Sequence, residues 1–283
     1  MATYRVTGVK AAMDGFPCLR NFQLAIRGAD TKSFCSAGSG AVRSAGNADW
    51  SVSAMGYGLP AKMPGQYFTF TGSDRKGQGW QSGSEDSRGG ALVSKVVIFC
   101  PIETSKHIYH HLLAVANGSI AKGSYSASDA AAPAPLNPKG LSFKFDLAAV
   151  YGVLGWKLTI DCNPTAPTYP SHLAGWPGRD PGNVDAEIEW EQTFDAMSQL
   201  VSINSFHQFD AYVDATRFYQ MINGQVLEEP TEYPIEGQQG NAELIAAKCK
   251  ANWTSYTNSV QGSIKIPGGG VYWPTNYATY LAL

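Results

Sequence analysis

The sequence predicts a mainly β protein made of two tandem β-barrel or β-sandwich domains with a minor flanking helix. Short segments alternate apolar and polar residues between turns marked by glycine and proline, the signature of half-buried strands. A group of residues recurs at about half the chain length, the signature of an internal repeat. A stretch rich in Ser, Ala and Pro separates the two occurrences, as a linker would. The chain has 283 residues, 44% hydrophobic and 12% aromatic, which is enough apolar surface to offset chain entropy in two cores.

Taken in chain order, Phe22, Leu24 and Ile26 form the first alternating segment. The pattern Arg-x-x-Gly-Asn-x-Asp follows at Arg43, Gly46, Asn47 and Asp49, with Val52 just beyond it. Tyr67 to Thr71 and Leu92 to Cys100 are rich in β-branched and aromatic residues and read as strands. Between them Gly77, Gly79, Gly83, Gly89 and Gly90 predict turns or a mobile loop. Tyr125 to Gly140, with Pro133, Pro135 and Pro138, reads as an extended surface linker, placing one domain at 1–140 and the other at 141–283.

The second half repeats the order of anchors. Phe143, Phe145 and Leu147 alternate, and Trp156, Leu158 and Ile160 match Phe22, Leu24 and Ile26 at a separation of 156 − 22 = 134. Arg179, Gly182, Asn183 and Asp185 repeat the motif at 179 − 43 = 136, and Val184, Ala186 and Ile188 alternate beyond it, Ile188 answering Val52. Gly262-Ser263-Ile264 answers Gly118-Ser119-Ile120 at 262 − 118 = 144. Order is kept while the offset drifts, as insertions in loops would make it. Two segments read as helix: Glu191 to Ile203, with Phe194, Met197 and Val201 on one face, and Ala242 to Ala251, rich in helix formers. The latter sits where the first half has a strand, around Leu92 to Cys100, so the repeat argues for strand there; both readings stand open.

Composition narrows the function classes. A formal net charge of −2 with 16% charged residues gives no means of neutralising many phosphates, so tight nucleic-acid binding is not expected. No run of about 18 apolar residues occurs, and residues 1–10 lack the apolar core and cleavage site of a signal peptide, so cytosolic synthesis without membrane insertion is expected. Cys18, Cys35, Cys100, Cys162 and Cys249 are odd in number and without Cys-x-x-Cys spacing, and read as reduced, mostly buried thiols.

No constellation points to catalysis, and the reading is that the protein is not an enzyme. His107, His110 and His111 cluster, but on a strand His107 and His111 share a face while His110 points away, and no carboxylate or thiol completes a metal set. Gly38-Ser39-Gly40 and Gly72-Ser73 lack the Gly-x-Ser-x-Gly elbow. Gly77-Gln78-Gly79 lacks the third glycine of a dinucleotide fingerprint, and no Walker-type lysine follows a glycine turn. No catalytic, cofactor-binding or metal residue is therefore assigned. Asp180, Asp185, Glu187, Glu189 and Glu191 could serve glycoside hydrolysis or calcium binding, but a solvated strand face is the favoured reading, and in a hollow assembly that face could line a channel. Trp50, Tyr57, Trp80, Trp156, Trp176, Trp190, Trp253 and Trp273 include candidates for a sugar-stacking platform, though core or interface positions are favoured.

The succession Arg20-Asn21, Ser36-Ala37-Gly38-Ser39-Gly40, Arg43, Gly46-Asn47-x-Asp49-Trp50, Tyr57-Gly58, Pro60, Pro64-Gly65 and Phe68-Thr69-Phe70-Thr71-Gly72-Ser73 resembles the N-terminal part of major tail tube proteins of tailed bacteriophages. The resemblance covers roughly the first third of the chain and extends to the second half only through the repeat. It implies tail-tube-like β domains whose inner sheets join neighbours into a ring, rings stacked into a tube that conducts viral DNA without binding it specifically, and no active-site residues. Partners would be the chain itself and other tail proteins, in the virion after synthesis in the host cytoplasm. Tube proteins form hexameric rings from single domains, so two such domains per chain imply either a trimer with pseudo-sixfold symmetry or a hexamer. Contacts between rings are expected from Gly72 to Gly90 and from the Tyr125 to Gly140 linker. The alternatives are another virion component, such as a decoration, tail terminator or capsid-associated protein, and a carbohydrate-binding or hydrolytic module.

Overall fold

In the computed structural model the residues described are 2–7, 19–34, 41–60, 62–73, 78–83, 89–102, 106–125, 136–182, 184–193, 205–228, 246–252, 263–265 and 271–272. The first half supplies strands β1 (Ala2–Thr7), β2 (Leu19–Phe34), β3 (Ala41–Tyr57), β4 (Tyr67–Phe68), β5 (Thr71–Ser73), β6 (Gly79–Ser82), β7 (Ala91–Cys100), β8 (Tyr109–Ala116) and β9 (Ile120–Gly123). The second supplies β10 (Phe143–Phe145), β11 (Ala148–Ala149), β12 (Val153–Asp161), β13 (Asp185–Thr193), β14 (Phe206–Tyr212), β15 (Phe218–Glu228), β16 (Ala246–Asn252), β17 (Ser263–Lys265) and β18 (Val271–Tyr272). One antiparallel sheet runs β1-β2-β3-β8-β7-β12-β13-β16-β15-β14-β10-β11, with β4 on β7 and β17 and β18 beside β15; β5-β6-β9 form a smaller second sheet.

Alternation decides which face of each strand is buried. In β2 Phe22 and Leu24 turn inward, in β3 Trp50, Val52 and Ala54, and in β12 Trp156, Leu158 and Ile160, all 5% exposed or less. Burying each large side chain contributes about 1.5–3 kcal/mol. Aromatic contacts tie the layers. Phe70 meets Phe22 edge-on with centroids 5.5 Å apart and lies 5.9 Å from Trp50. In the second half Phe143 stacks on Trp190 at 5.5 Å and Phe209 lies 5.3 Å from the same indole.

The ladders of the two halves repeat in register. Leu24 faces Val52 as Leu158 faces Ile188, at the offsets of 134 and 136 read from the sequence. Val52 faces Ala114 as Ile188 faces Ala251. Tyr67 faces Leu92 as Phe206 faces Gln225, Thr71 faces Gln81 as Asp210 faces Gln220, and Ser82 faces Ile120 as Met221 faces Ile264. Even an irregularity recurs, between Val93 and Lys95 against β8 and between Val226 and Glu228 against β16. A one-residue slip would turn every side chain to the opposite face, so shared register is a stringent likeness. The halves differ in continuity: β14 does the work of β4 and β5, and β15 that of β6 and β7.

Several expectations need correction. Among the described residues there is no α-helix, only a 3-10 turn at Ser171–Leu173. Glu191 to Thr193 continue β13, because period-two burial of Ala186, Ile188 and Trp190 and pairing to β12 override helix propensity; 194–203 lie outside the described residues. Ala246 to Ala251 are strand in β16, which fills the place between β13 and β15; its counterpart is β8 rather than Leu92 to Cys100. Gly72 to Gly90 is no single loop, since β5 and β6 lie within it; 74–77 and 84–88 lie outside the described residues. Leu147 does not continue an alternating strand. Asp146 and Leu147 take φ of 46° and 70° in the two-residue turn joining β10 to β11, leaving Leu147 72% exposed. Of the linker, 126–135 lie outside the described residues, while Ile108 N–H donates to Leu136 O.

Candidate assembly interface

The halves meet strand to strand. β7 pairs with β12 from Lys95↔Asp161 to Cys100↔Trp156, so a single sheet crosses from one half into the other. Lys95 Nζ lies 3.5 Å from Asp161 Oδ2 at the end of this ladder. From there residues 162–182 strap back over the first half. Ala48 N–H donates to Gly175 O at 2.9 Å, and the Tyr67 hydroxyl donates to Arg179 O at 3.0 Å.

Near the end of the strap stands Arg179, whose side chain is 9% exposed. Its guanidinium forks onto Asp49, Nη1 to Oδ1 at 3.0 Å and Nη2 to Oδ2 at 2.7 Å, and Nη1 also donates to Ala116 O at 2.7 Å. This planar two-point geometry is what an arginine offers and a lysine does not. Buried Asn117 completes the splice. Its Oδ1 accepts from Arg179 N–H at 2.9 Å, its Nδ2 donates to Gly89 O at 3.0 Å, and its own N–H reaches Gly90 O.

The repeated Arg-x-x-Gly-Asn-x-Asp motif now has a physical content. Each aspartate caps the residue after it, Trp50 N–H donating to Asp49 Oδ1 and Ala186 N–H to Asp185 Oδ1, both at 2.8 Å. Each glycine sits against the carbonyl of a neighbouring chain segment: a Cβ on Gly46 would lie 2.9 Å from Ala29 O, and one on Gly182 would lie 2.0 Å from Asn163 O. Ala29 and Asn163 are themselves 134 apart. The arginine of the second copy binds the aspartate of the first. The motif is thus a joint between halves rather than a site within one.

The other candidates are dispersed. His110 is fully buried, with its ring Nδ1 3.0 Å from Gly58 O, and burial holds its pKa below the ordinary histidine value. His111 lies on the opposite face of β8 beside Phe99 and Tyr109, and His107 packs edge-on to Tyr57 before the strand begins. Among the described residues no group of three or more His, Cys, Asp or Glu could hold a metal ion. Asp185, Glu187, Glu189 and Glu191 share the face of β13 opposite buried Ala186, Ile188 and Trp190, as the spacing predicts. Glu189 is not free on it, pairing with Lys157 Nζ at 2.5 Å. Asp180 stands apart on the strap, its N–H donating to Thr165 Oγ1. Trp50, Trp80, Trp156 and Trp190 are core residues, so they form no exposed platform. Cys100 and Cys162 are buried thiols; burial raises both, and Cys162, with Asp161 adding to the effect, is pushed up to about 12. Ser39 lies outside the described residues, and Ser73 is buried in β5. No helix among the described residues is long and apolar enough to cross a membrane.

Sequence reasoning missed Tyr67, Lys95, Asn117 and Asp161, which carry much of the joint. Asn117 had one visible signal, its place immediately before the repeated Gly-Ser-Ile anchor. No protein-family model and no curated protein matches the chain.

Proposed function

We propose that the chain is a structural virion protein that assembles into stacked rings forming a bacteriophage tail tube, with viral DNA passing through the lumen. The observation that carries this reading is the β7–β12 ladder, by which two halves with the same strand registers already share one sheet. A contact of this kind is heterologous, and heterologous contacts close into rings when the rotation per step allows. Sheet continuation also removes exposed strand edges, a known liability of β proteins. Three chains would supply six similar halves around an axis, a trimer with pseudo-sixfold symmetry. The acidic face of β13 suits a lumen, since it would repel phosphates and keep DNA from adhering. Other tail proteins would cap the ends of the tube.

Negative-stain electron microscopy of the purified chain tests this directly. Stacked rings with a hollow centre are expected; a dispersed monomer at high concentration, or closed shells, would overturn it.

A further inference from the structure

Asn117 carries a chemical liability at the point where the halves are spliced. It is followed by Gly118, and the chain has one other Asn-Gly step, Asn223–Gly224. An unhindered glycine leaves its backbone nitrogen free to attack the preceding side-chain amide. The bond from Gly118 N to Asn117 Cγ forms and the Cγ–Nδ2 bond breaks, the Gly118 amide proton leaving with Nδ2 as ammonia. Water then opens the five-membered imide at either carbonyl. The product is aspartate, or isoaspartate with the side-chain methylene drawn into the main chain.

In the folded chain the groups around that reaction are held in place. Asn117 is fully buried. Its Oδ1 accepts from Arg179 N–H at 2.9 Å, its Nδ2 donates to Gly89 O at 3.0 Å, and its backbone N–H donates to Gly90 O at 2.9 Å. On the other side of the scissile amide, Gly118 O accepts from the Trp50 indole N–H at 2.9 Å. Both partners of the side chain are backbone groups of fixed role, so the amide's orientation is set. The fold also keeps the liability in place. Gly118 has φ of 128°, a conformation open to glycine and strained for other residues. An acceptor and a donor on one short side chain is what asparagine supplies and aspartate does not.

We propose that Asn117–Gly118 is a self-modification site gated by the joint, inert while Arg179 and the 162–182 strap stay seated and deamidated when they lift, after which the joint does not re-form. A carboxylate at position 117 would set an oxygen against Gly89 O, where a donor stood, and would bury a charge there. The isoaspartyl product lengthens the main chain just ahead of β9, where Ile120 faces Ser82. Prolonged opening is thereby made one-way, and chains whose halves have come apart are withdrawn from the folded pool. The gate works within a single chain and needs no assembly.

Peptide mapping by mass spectrometry scores Asn117 and Asn223 separately. The native chain, the chain in urea and Arg179→Met are incubated at the same alkaline pH, with circular dichroism checking that the first and last are folded. Chemistry confined to the open form proceeds in proportion to the open population, so Asn117 should deamidate at least ~100-fold more slowly in the native chain than in urea. Arg179→Met should fall between the two, at least ~10-fold above the native rate. Should Arg179→Met not fold, the milder Asp49→Asn takes its place. Equal rates in the native and urea-unfolded chains, or a folded variant that deamidates at the native rate, overturn the gate. Dilution of urea-aged chains into native conditions tests the one-way step. The refolded, protease-resistant fraction should retain intact Asn117 while modified chains stay unfolded; deamidated Asn117 shared equally between the two fractions overturns it.

Discussion

Arg179 and Asp49 offer the sharpest measurement of how firmly the halves are joined. Replacing Arg179 by Met keeps a chain of similar length and removes three hydrogen bonds: two onto Asp49 at 3.0 and 2.7 Å and one onto Ala116 O at 2.7 Å. Exposed ion pairs contribute about 0.2–1 kcal/mol, and truncating one partner of a buried pair costs about 3–5 kcal/mol. With side chains 9% and 34% exposed, this pair falls between those limits. Arg179→Met should therefore cost about 3 kcal/mol. Asp49→Asn keeps the acceptor for Trp50 N–H and should cost about 2 kcal/mol, since hydrogen bonds to charged groups contribute about 1.5–3 kcal/mol. If the fork is the dominant coupling, the double variant should lose less than the sum by about 1.5–2 kcal/mol. Urea denaturation followed by tryptophan fluorescence gives all three values, provided the slope is unchanged between variants. A coupling below about 0.5 kcal/mol would refute the argument and leave the backbone splice through Asn117, Gly175 and β12 as the whole of the joint.

Three further outcomes follow from the same geometry. Gly182→Ala should cost about 2–3 kcal/mol by forcing Asn163 O away, and Gly46→Ala about 1 kcal/mol because its contact is looser; thermal melting should rank them in that order. Burial, opposed by the Gly58 carbonyl and aided by His111, depresses the His110 pKa below 6.5. The unfolded chain therefore binds a proton that the folded chain refuses, and stability should fall as pH drops below about 6.5, by up to ~1.4 kcal/mol per pH unit, a slope that His110→Gln should flatten in urea titrations at pH 5 and 8. Cys100 and Cys162, both raised by burial, should react with a thiol reagent only at the rate of unfolding, so fast labelling of either in the native protein would contradict their packing.

Strand positions were the most legible part of the sequence, because a two-residue period of apolar side chains needs only local information. Leu24, Val52, Leu158 and Ile188 could be placed inward from spacing alone, and their offsets of 134 and 136 reappear as facing pairs. The helix readings failed where local propensity met a partner strand. Ala246 to Ala251 contain good helix formers, yet the edge of β13 offers backbone partners that no isolated segment can anticipate. The repeated motif was visible, but its meaning was not. Nothing in Arg-x-x-Gly-Asn-x-Asp tells which arginine meets which aspartate, because that depends on β7 and β12 lying side by side. Asn117 and Tyr67 stayed hidden for the same reason: their hydrogen bonds reach Arg179 across 62 and 112 residues of chain.

Strand β15 has a mechanical corollary. It pairs with β17 through Gln220 to Ile222 and with β16 through Gln225 to Glu228, so one continuous strand ties both partners of the second half into a single sheet. In the first half the same duty is divided between β6 and β7, separated by residues 83–90. Under load along the chain, the first half can shear between its layers while the second must bend as a unit. A pulling experiment should accordingly find the yielding element in the N-terminal half, with the C-terminal half stiffer until β15 itself peels.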